Sequence, residues 1–256
     1  MGVESVLTAS TLFGFFLTLT RIGSVFVFVP IPGASSGVPA AKVVLILAVT
    51  IALFPLWPHP AATFSAGLFT LWVFSEAAFG AGIGLLVAFI TESFLVGAQM
   101  IGLPAGFSYA STIDPSTQAD STVLAVMAQT ISSLLFFTMG LDREVIRIFA
   151  GSLSAFPPGT YQLSRSTAET VLRAGGTMFS SGLRLALPVI AVLIMVDISL
   201  ALLGRINSQL QLHSIAFPAK LLLSMGMLIW VVILIPALFR GTADAVFGAV
   251  RALAVR

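Results

Sequence analysis

The chain carries one stretch with the spacing of a hydrolytic nucleophile, Gly33-Ala34-Ser35-Ser36-Gly37, which fits G-x-S-x-G. A nucleophile elbow needs a strand, a sharp turn and a helix around the serine. Here the pattern sits in a proline-rich loop between two apolar blocks, and only His59 and His213 could serve as a base. The absence of cysteine removes thiolate nucleophiles, thiolate metal ligands and disulfides. No H-E-x-x-H, phosphate-binding or dinucleotide motif is present. The expectation is therefore a protein that is not an enzyme, with no catalytic, cofactor or metal site. The chemistry that remains lies in charges set inside apolar blocks: Glu76, Glu92, Arg184 and Asp197. These are expected to be buried charges that need partners or water. A proton relay would require them to cluster, and no relay cluster is visible. Pairs between subunits or an aqueous lumen are the plainer alternatives.

The surrounding chain must hold those charges in apolar surroundings. Of 256 residues, 58% are hydrophobic and only 9% charged, against about 25% charged in an ordinary soluble domain. Mean hydropathy is +1.08. This is the composition of a membrane protein, and a net charge of +2 with no basic run speaks against nucleic acid. Glu4 is the only early charge, so the first apolar run reads as a retained helix rather than a leader. One segment stands apart, the polar and helix-breaking run from Pro104 to Ser121 between two apolar blocks. Irregular backbone at membrane depth is tolerated only when buried in protein or lining a watery cavity. The segment is expected to plug, line or cap a passage.

The apolar blocks read as helices, with no alternating strand pattern. The fold class is all-α. Blocks run from about Val6 to Ile31, Ala40 to Trp57, Gly67 to Leu103 and Thr122 to Met139. Gly140-Leu141-Asp142 breaks the last of these before a more charged helix from Arg143 to Phe156. Later come Glu169 to Leu203, a polar break from Gly204 to Ser214, and Ile215 to Phe239. The tail from Arg240 to Arg256 is read as a separate amphipathic element. The third block would be about 55 Å long as one helix, nearly twice a ~30 Å hydrocarbon core. It is expected either to bend in two or to extend beyond the bilayer. Gly80, Gly82 and Gly84, and then Gly97, Gly102 and Gly106, offer close approach between helices. The basic residues Arg143, Arg147, Arg165, Lys220 and Arg240 do not separate onto alternate loops, so the positive-inside rule assigns no clear topology.

Several of these segments together resemble one family. Gly106-Phe107-Ser108, then Ile113-Asp114-Pro115-Ser116 and an apolar helix, is similar to the central loop of the FliR family of flagellar type III export proteins. The run Ala186-Leu187-Pro188-Val189-Ile190, then Leu200 to Arg205, Gln209-Leu210, Phe217-Pro218 and Lys220, is similar to the C-terminal signature of that family. The order holds over most of the chain. Ser208 stands where a proline is common in the family, and Ala216 where a glycine is common. Injectisome export proteins are close relatives, and the Gly-Phe-Ser-Tyr-Ala stretch looks more flagellar.

The resemblance implies a subunit of an export gate in the bacterial inner membrane at the flagellar basal body. Its implied partners are FliP-like and FliQ-like subunits, an FlhB-like subunit, membrane lipid and unfolded exported flagellar proteins. It implies a FliP-like part over residues 1–165 and a FliQ-like helical hairpin with a tail over 166–256. It also implies a plug loop over 104–121, with Gly106, Phe107, Tyr109, Ile113, Asp114 and Pro115 as its working residues. Phe107, Tyr109 and Ile113 can fill a narrow lumen, while Gly106 and Pro115 allow sharp turns. Asp114 can accept local N–H groups within the loop, or cap the helix that follows. Arg205, Gln209, Phe217, Pro218 and Lys220 surround a helix turn and are candidate partner contacts. The rival class is a secondary transporter, which broken helices and ionisable residues in the membrane would also suit. No pair of corresponding halves supports it.

Overall fold

The computed structural model describes residues 9–29, 39–58, 65–107, 123–157, 161, 164–206 and 212–254. These residues form α1 (Ala9–Phe28), α2 (Pro39–Ala52), a 3-10 turn (Phe54–Leu56), α3 (Ala66–Ala105), α4 (Val123–Thr138), α5 (Leu141–Ala155), α6 (Arg165–Ile206) and α7 (Leu212–Ala254). No strand occurs among the described residues, so the fold is all-α. Four helices, α1, α3, α6 and α7, are long and apolar enough to cross a membrane. The pair α4 and α5, broken at Met139–Gly140, would make a fifth span if counted as one. Gly140 takes φ 70°, and Asp142 and Glu144 follow in the first turn of α5, where carboxylates favour the helix dipole.

The structure alters several expected boundaries. The third block is one hydrogen-bonded helix of 40 residues that continues through Pro104 to Ala105. At 1.5 Å per residue its contour is about 60 Å. The tail from Arg240 is not a separate element, because α7 runs unbroken from Leu212 to Ala254 through Pro218 and Pro236. Phe217, Pro218 and Lys220 lie within α7 and not in a turn. Gly204 and Arg205 likewise belong to α6. A proline removes one N–H from the ladder, and membrane helices absorb that loss through neighbouring groups.

The chain divides into two compact units with interleaved segments. The first draws on Met1–Phe89, Phe136–Gly175 and Ala243–Arg256, and the second on Ile90–Leu135 and Gly176–Thr242. In the first unit, α1 crosses α3 at two small residues one turn apart. A Cβ on Gly80 would collide with the Arg21 carbonyl and the Ser24 hydroxyl, and one on Gly84 would lie 2.7 Å from the Val25 carbonyl oxygen. Gly82, on another face, meets nothing. Glu76 precedes Gly80 by one turn, so it shares the face that meets α1. The crossing thereby brings Glu76 against Arg21, which donates to it through Nε.

Arg21 is 1% exposed and Glu76 1%. The guanidinium also donates to the carbonyls of Ser152 (2.9 Å) and Phe156 (3.1 Å) at the C-terminal end of α5. Basic side chains are favoured there by the helix dipole, and the Ser152 carbonyl, which already accepts from the Phe156 N–H at 3.0 Å, takes the guanidinium as a second donor. The Phe79 ring covers the cation, 5.0 Å from its central carbon, and stacks edge-on with Tyr161 at 4.7 Å. One side chain therefore joins α1, α3 and α5. Among the described residues, α2 and the 3-10 turn are tied by Trp57, whose indole N–H donates to the Thr50 carbonyl at 2.9 Å.

Removing one member of a buried pair costs about 3–5 kcal/mol, because the other charge stays buried without compensation. Arg21→Met and Glu76→Leu should each lower the thermal stability of the purified protein sharply. The double variant should lose less than the more damaging single change, since it leaves no orphan charge. A thermal unfolding series on the four proteins measures this. Additive losses would show that the two charges do not act as a pair.

Candidate functional site

The described part of the expected plug region is its first end. α3 closes with Gly106 at φ 87°, a left-handed conformation that glycine adopts without a Cβ penalty. The Gly106 N–H donates to the Leu103 carbonyl at 3.2 Å, and the Phe107 N–H donates to the Gly102 carbonyl at 3.0 Å. This pair of bonds is the Schellman motif, which satisfies carbonyls that the helix end would otherwise leave open. The chain leaves α3 at a defined angle for that reason. Phe107 is half-buried. Tyr109, Ile113, Asp114 and Pro115 lie outside the described residues, as do Gln209, Ser35 and His59.

Gly106 and Phe217 come from the two segments that carried the family resemblance, and the second unit brings them into contact. A Cβ on Gly106 would lie 2.7 Å from Phe217 Cε2. The ring of Phe217, near the start of α7, thus seats on the bare backbone at the end of α3. The sequence placed both residues in candidate sites but held no signal that they would touch. Two further positions in this unit are in tight contact. A Cβ on Gly182 of α6 would lie 2.7 Å from the Ser93 carbonyl oxygen of α3, and one on Gly97 would lie 3.0 Å from the Gly182 carbonyl oxygen. α6 and α7 pack antiparallel there, with Thr242 donating to the Ser181 hydroxyl at 3.1 Å and Lys220 paired with Asp197.

The other expected residues fall as follows. Of the four charges expected to be buried, this chain encloses Glu76, whereas Glu92, Arg184 and Asp197 are exposed. Glu92 and Arg184 form no ion pair among the described residues. Arg205 and Pro218 are exposed, and Lys220 is half-buried by its contact with Asp197. Arg21, within the first apolar block, was not among the residues singled out from the sequence. The available signal was complementary charge: Arg21 and Glu76 are opposite in sign, and each needs compensation in an apolar setting.

The α3 cap makes a quantitative expectation. Gly106→Ala should destabilise the protein by more than the roughly 1–2 kcal/mol that a left-handed conformation costs a residue with a Cβ, because the methyl group also meets Phe217. In a Phe217→Ala background the same change should cost only the conformational part. Thermal unfolding of the four variants checks this. An equal cost of Gly106→Ala in both backgrounds would show that the ring does not rest on the cap.

Comparison with known proteins matches residues 12–246 to a family described as bacterial export proteins, family 1. The chain is 31% identical over 130 residues to the flagellar biosynthetic protein FliR of Escherichia coli (strain K12), covering 51% of this chain and 50% of that protein. It is 30% identical over 134 residues to the flagellar biosynthetic protein FliR of Pectobacterium carotovorum subsp. carotovorum, covering 51% of each. Its identity to the corresponding protein of Buchnera aphidicola subsp. Acyrthosiphon pisum is 26% over 153 residues, or 59% of each chain. The aligned part spans about half the length of these curated relatives. With 12–246 of its residues matched, the chain belongs to the bacterial export proteins of family 1, the FliR family.

Proposed function

We propose that the chain is a subunit of the flagellar protein export gate in the bacterial inner membrane. There it completes a heteromeric passage for unfolded flagellar proteins, with FliP-like, FliQ-like and FlhB-like partners. The observation that carries this reading is the family match across 12–246 of the chain. Four helices able to cross a membrane are consistent with it. Much of the surface of α6 and α7 is apolar and uncovered: Leu172, Ile206, Ile229 and Ile233 are each more than 70% exposed. Such a surface fits lipid and partner helices.

In this reading residues 1–165 form the FliP-like part, and 166–256 the FliQ-like hairpin with its tail. The loop that follows Gly106 contributes to the closed state. Phe107, Tyr109 and Ile113 fill the lumen, Asp114 and Pro115 hold the loop in shape, and the cap at Gly106 aims it. A seal against ions that must also admit a polypeptide needs to be compact, with its polar groups satisfied internally and only weak attachment to the walls. Arg205, Gln209, Phe217, Pro218 and Lys220 lie around the end of the hairpin that meets partners. The chain works by assembly and carries out no covalent chemistry.

Co-expression with FliP-like and FliQ-like chains from the same genome, followed by purification on a tag after Arg256, should retain all three chains. A stable particle of this chain alone would overturn the reading in favour of a self-contained transporter. Deletion of Gly106 to Gln118 should leave that complex assembled but make the membrane leak ions. Normal conductance in the deleted variant would remove the plug role.

A further inference from the structure

The second unit holds a cavity of about 90 Å³ between α3, α4, α6 and α7. Every residue that lines it is apolar. Phe94, Ala98, Ile101, Leu185 and Val231 are buried and form its floor, while Met127 and Val232, each about half exposed, stand at its mouth. A water molecule needs two to four polar partners, and an apolar cavity stays dry. This one is therefore a place for carbon. It is smaller than the ~150 Å³ that accommodates a benzene ring, so it suits the narrow end of a chain.

The mouth lies between stretches without charge. α4 has no charged side chain from Val123 to Thr138, and α7 has none from Leu221 to Phe239. The uncharged run of α7 is about 28 Å long, close to the ~30 Å of a hydrocarbon core. Lys220 stands at one end and Arg240 at the other. Lys220 is paired with Asp197. Arg240 is exposed and forms no ion pair among the described residues, and the same holds for Arg184 of α6. The hydrogen bond between Thr242 and Ser181 sets both arginines near one level of the hairpin. Glu92 of α3 is near that level as well, because the neighbouring Ser93 abuts Gly182. It pairs with neither arginine, and two cations against one carboxylate leave the level positive.

Depth connects the cations to the cavity. Val231 and Leu228, on its α7 wall, lie about 14 and 18 Å along the helix from Arg240. One leaflet is half of the hydrocarbon core, about 15 Å. An acyl chain whose headgroup sits at Arg240 therefore ends at the cavity. We propose that the second unit binds one anionic phospholipid, with its phosphate at Arg240 and Arg184 and the end of one acyl chain in the cavity. A partner helix would have to bring an apolar side chain and, about 14–18 Å away, an acidic one. A phospholipid carries that combination in every molecule. The inference goes beyond the export-gate reading and does not rest on it.

Native mass spectrometry tests it on the tagged full chain, purified in mild detergent with every partner it retains and titrated with phosphatidylglycerol or, for comparison, phosphatidylcholine. One phosphatidylglycerol should bind ahead of further lipid and in preference to phosphatidylcholine. Arg240→Gln should weaken that first binding by about fivefold, the worth of one basic side chain near an anionic surface. Ala128→Leu, which fills the cavity from α4, should abolish it without lowering the unfolding temperature in lipid-free detergent. Val232→Phe closes the mouth from outside and gives the same readout if Ala128→Leu does not fold. Leu222→Phe, on exposed α7 surface away from the cavity, should bind as the unaltered chain does. Native binding in both Ala128→Leu and Val232→Phe would overturn the proposal, because the acyl chain would then lie elsewhere. An assembly that retains partners but takes up no phosphatidylglycerol would also overturn it, in favour of a partner side chain as the occupant. Equal binding of the two lipids, unchanged by Arg240→Gln, would remove the headgroup site.

Discussion

The pairing of Arg21 with Glu76 is the contact on which the first unit depends. It places a cation and an anion out of water, where an unmatched charge would be prohibitive. Its geometry follows from something simpler, the close crossing of α1 and α3 at Gly80 and Gly84. Without that approach the two side chains would not meet at this depth. With it, the guanidinium has capacity left for the carbonyls of Ser152, in the last turn of α5, and of Phe156 just beyond it. A small-residue crossing, an ion pair and a helix C-terminus are thus one cooperative arrangement. Its net stabilisation is modest compared with an apolar replacement, but losing any one part exposes the cost of the others.

The second unit uses the same device with different chemistry. Gly97 and Gly182 let α3 and α6 approach as closely as Gly80 and Gly84 let α1 and α3 approach. Among the described residues no charge is enclosed at that crossing. The polar groups are instead displayed, with Glu92 and Gln99 on the outer face of α3 and Asp197 with Lys220 on the hairpin. The first unit thus encloses one ion pair at its crossing, and the second leaves its charges on the surface.

Three helices of 40 or more residues, α3, α6 and α7, also explain why the positive-inside rule failed. Each is roughly twice the length that a hydrocarbon core requires. Charges such as Glu76, Arg184 and Arg240 therefore fall within helices and not in loops, so counting loop charges has little to act on.

Composition and block length were enough to show an all-helical membrane protein, because apolar runs of that length with so few charges have no other stable form. The breaks at Gly140 and after Ala105 were readable from Gly140-Leu141-Asp142 and from the polar, helix-breaking run that begins at Pro104, and a glycine at positive φ stands at each. Glycines suited to close approach were visible as a group, but which of them carry a crossing was not. Gly80 and Gly84 do, while Gly82 meets nothing. The continuity of α6 through Pro188 and of α7 through Pro218 and Pro236 was readable from the apolar blocks, whereas the continuation of α7 past Arg240 was not, because the composition changes there while the helix does not. The enclosure of Glu76, the exposure of Glu92 and the seat of Phe217 on Gly106 were decided by tertiary structure alone. Each depends on which face of a helix meets another helix, a relation between residues far apart in the chain that no local spacing encodes.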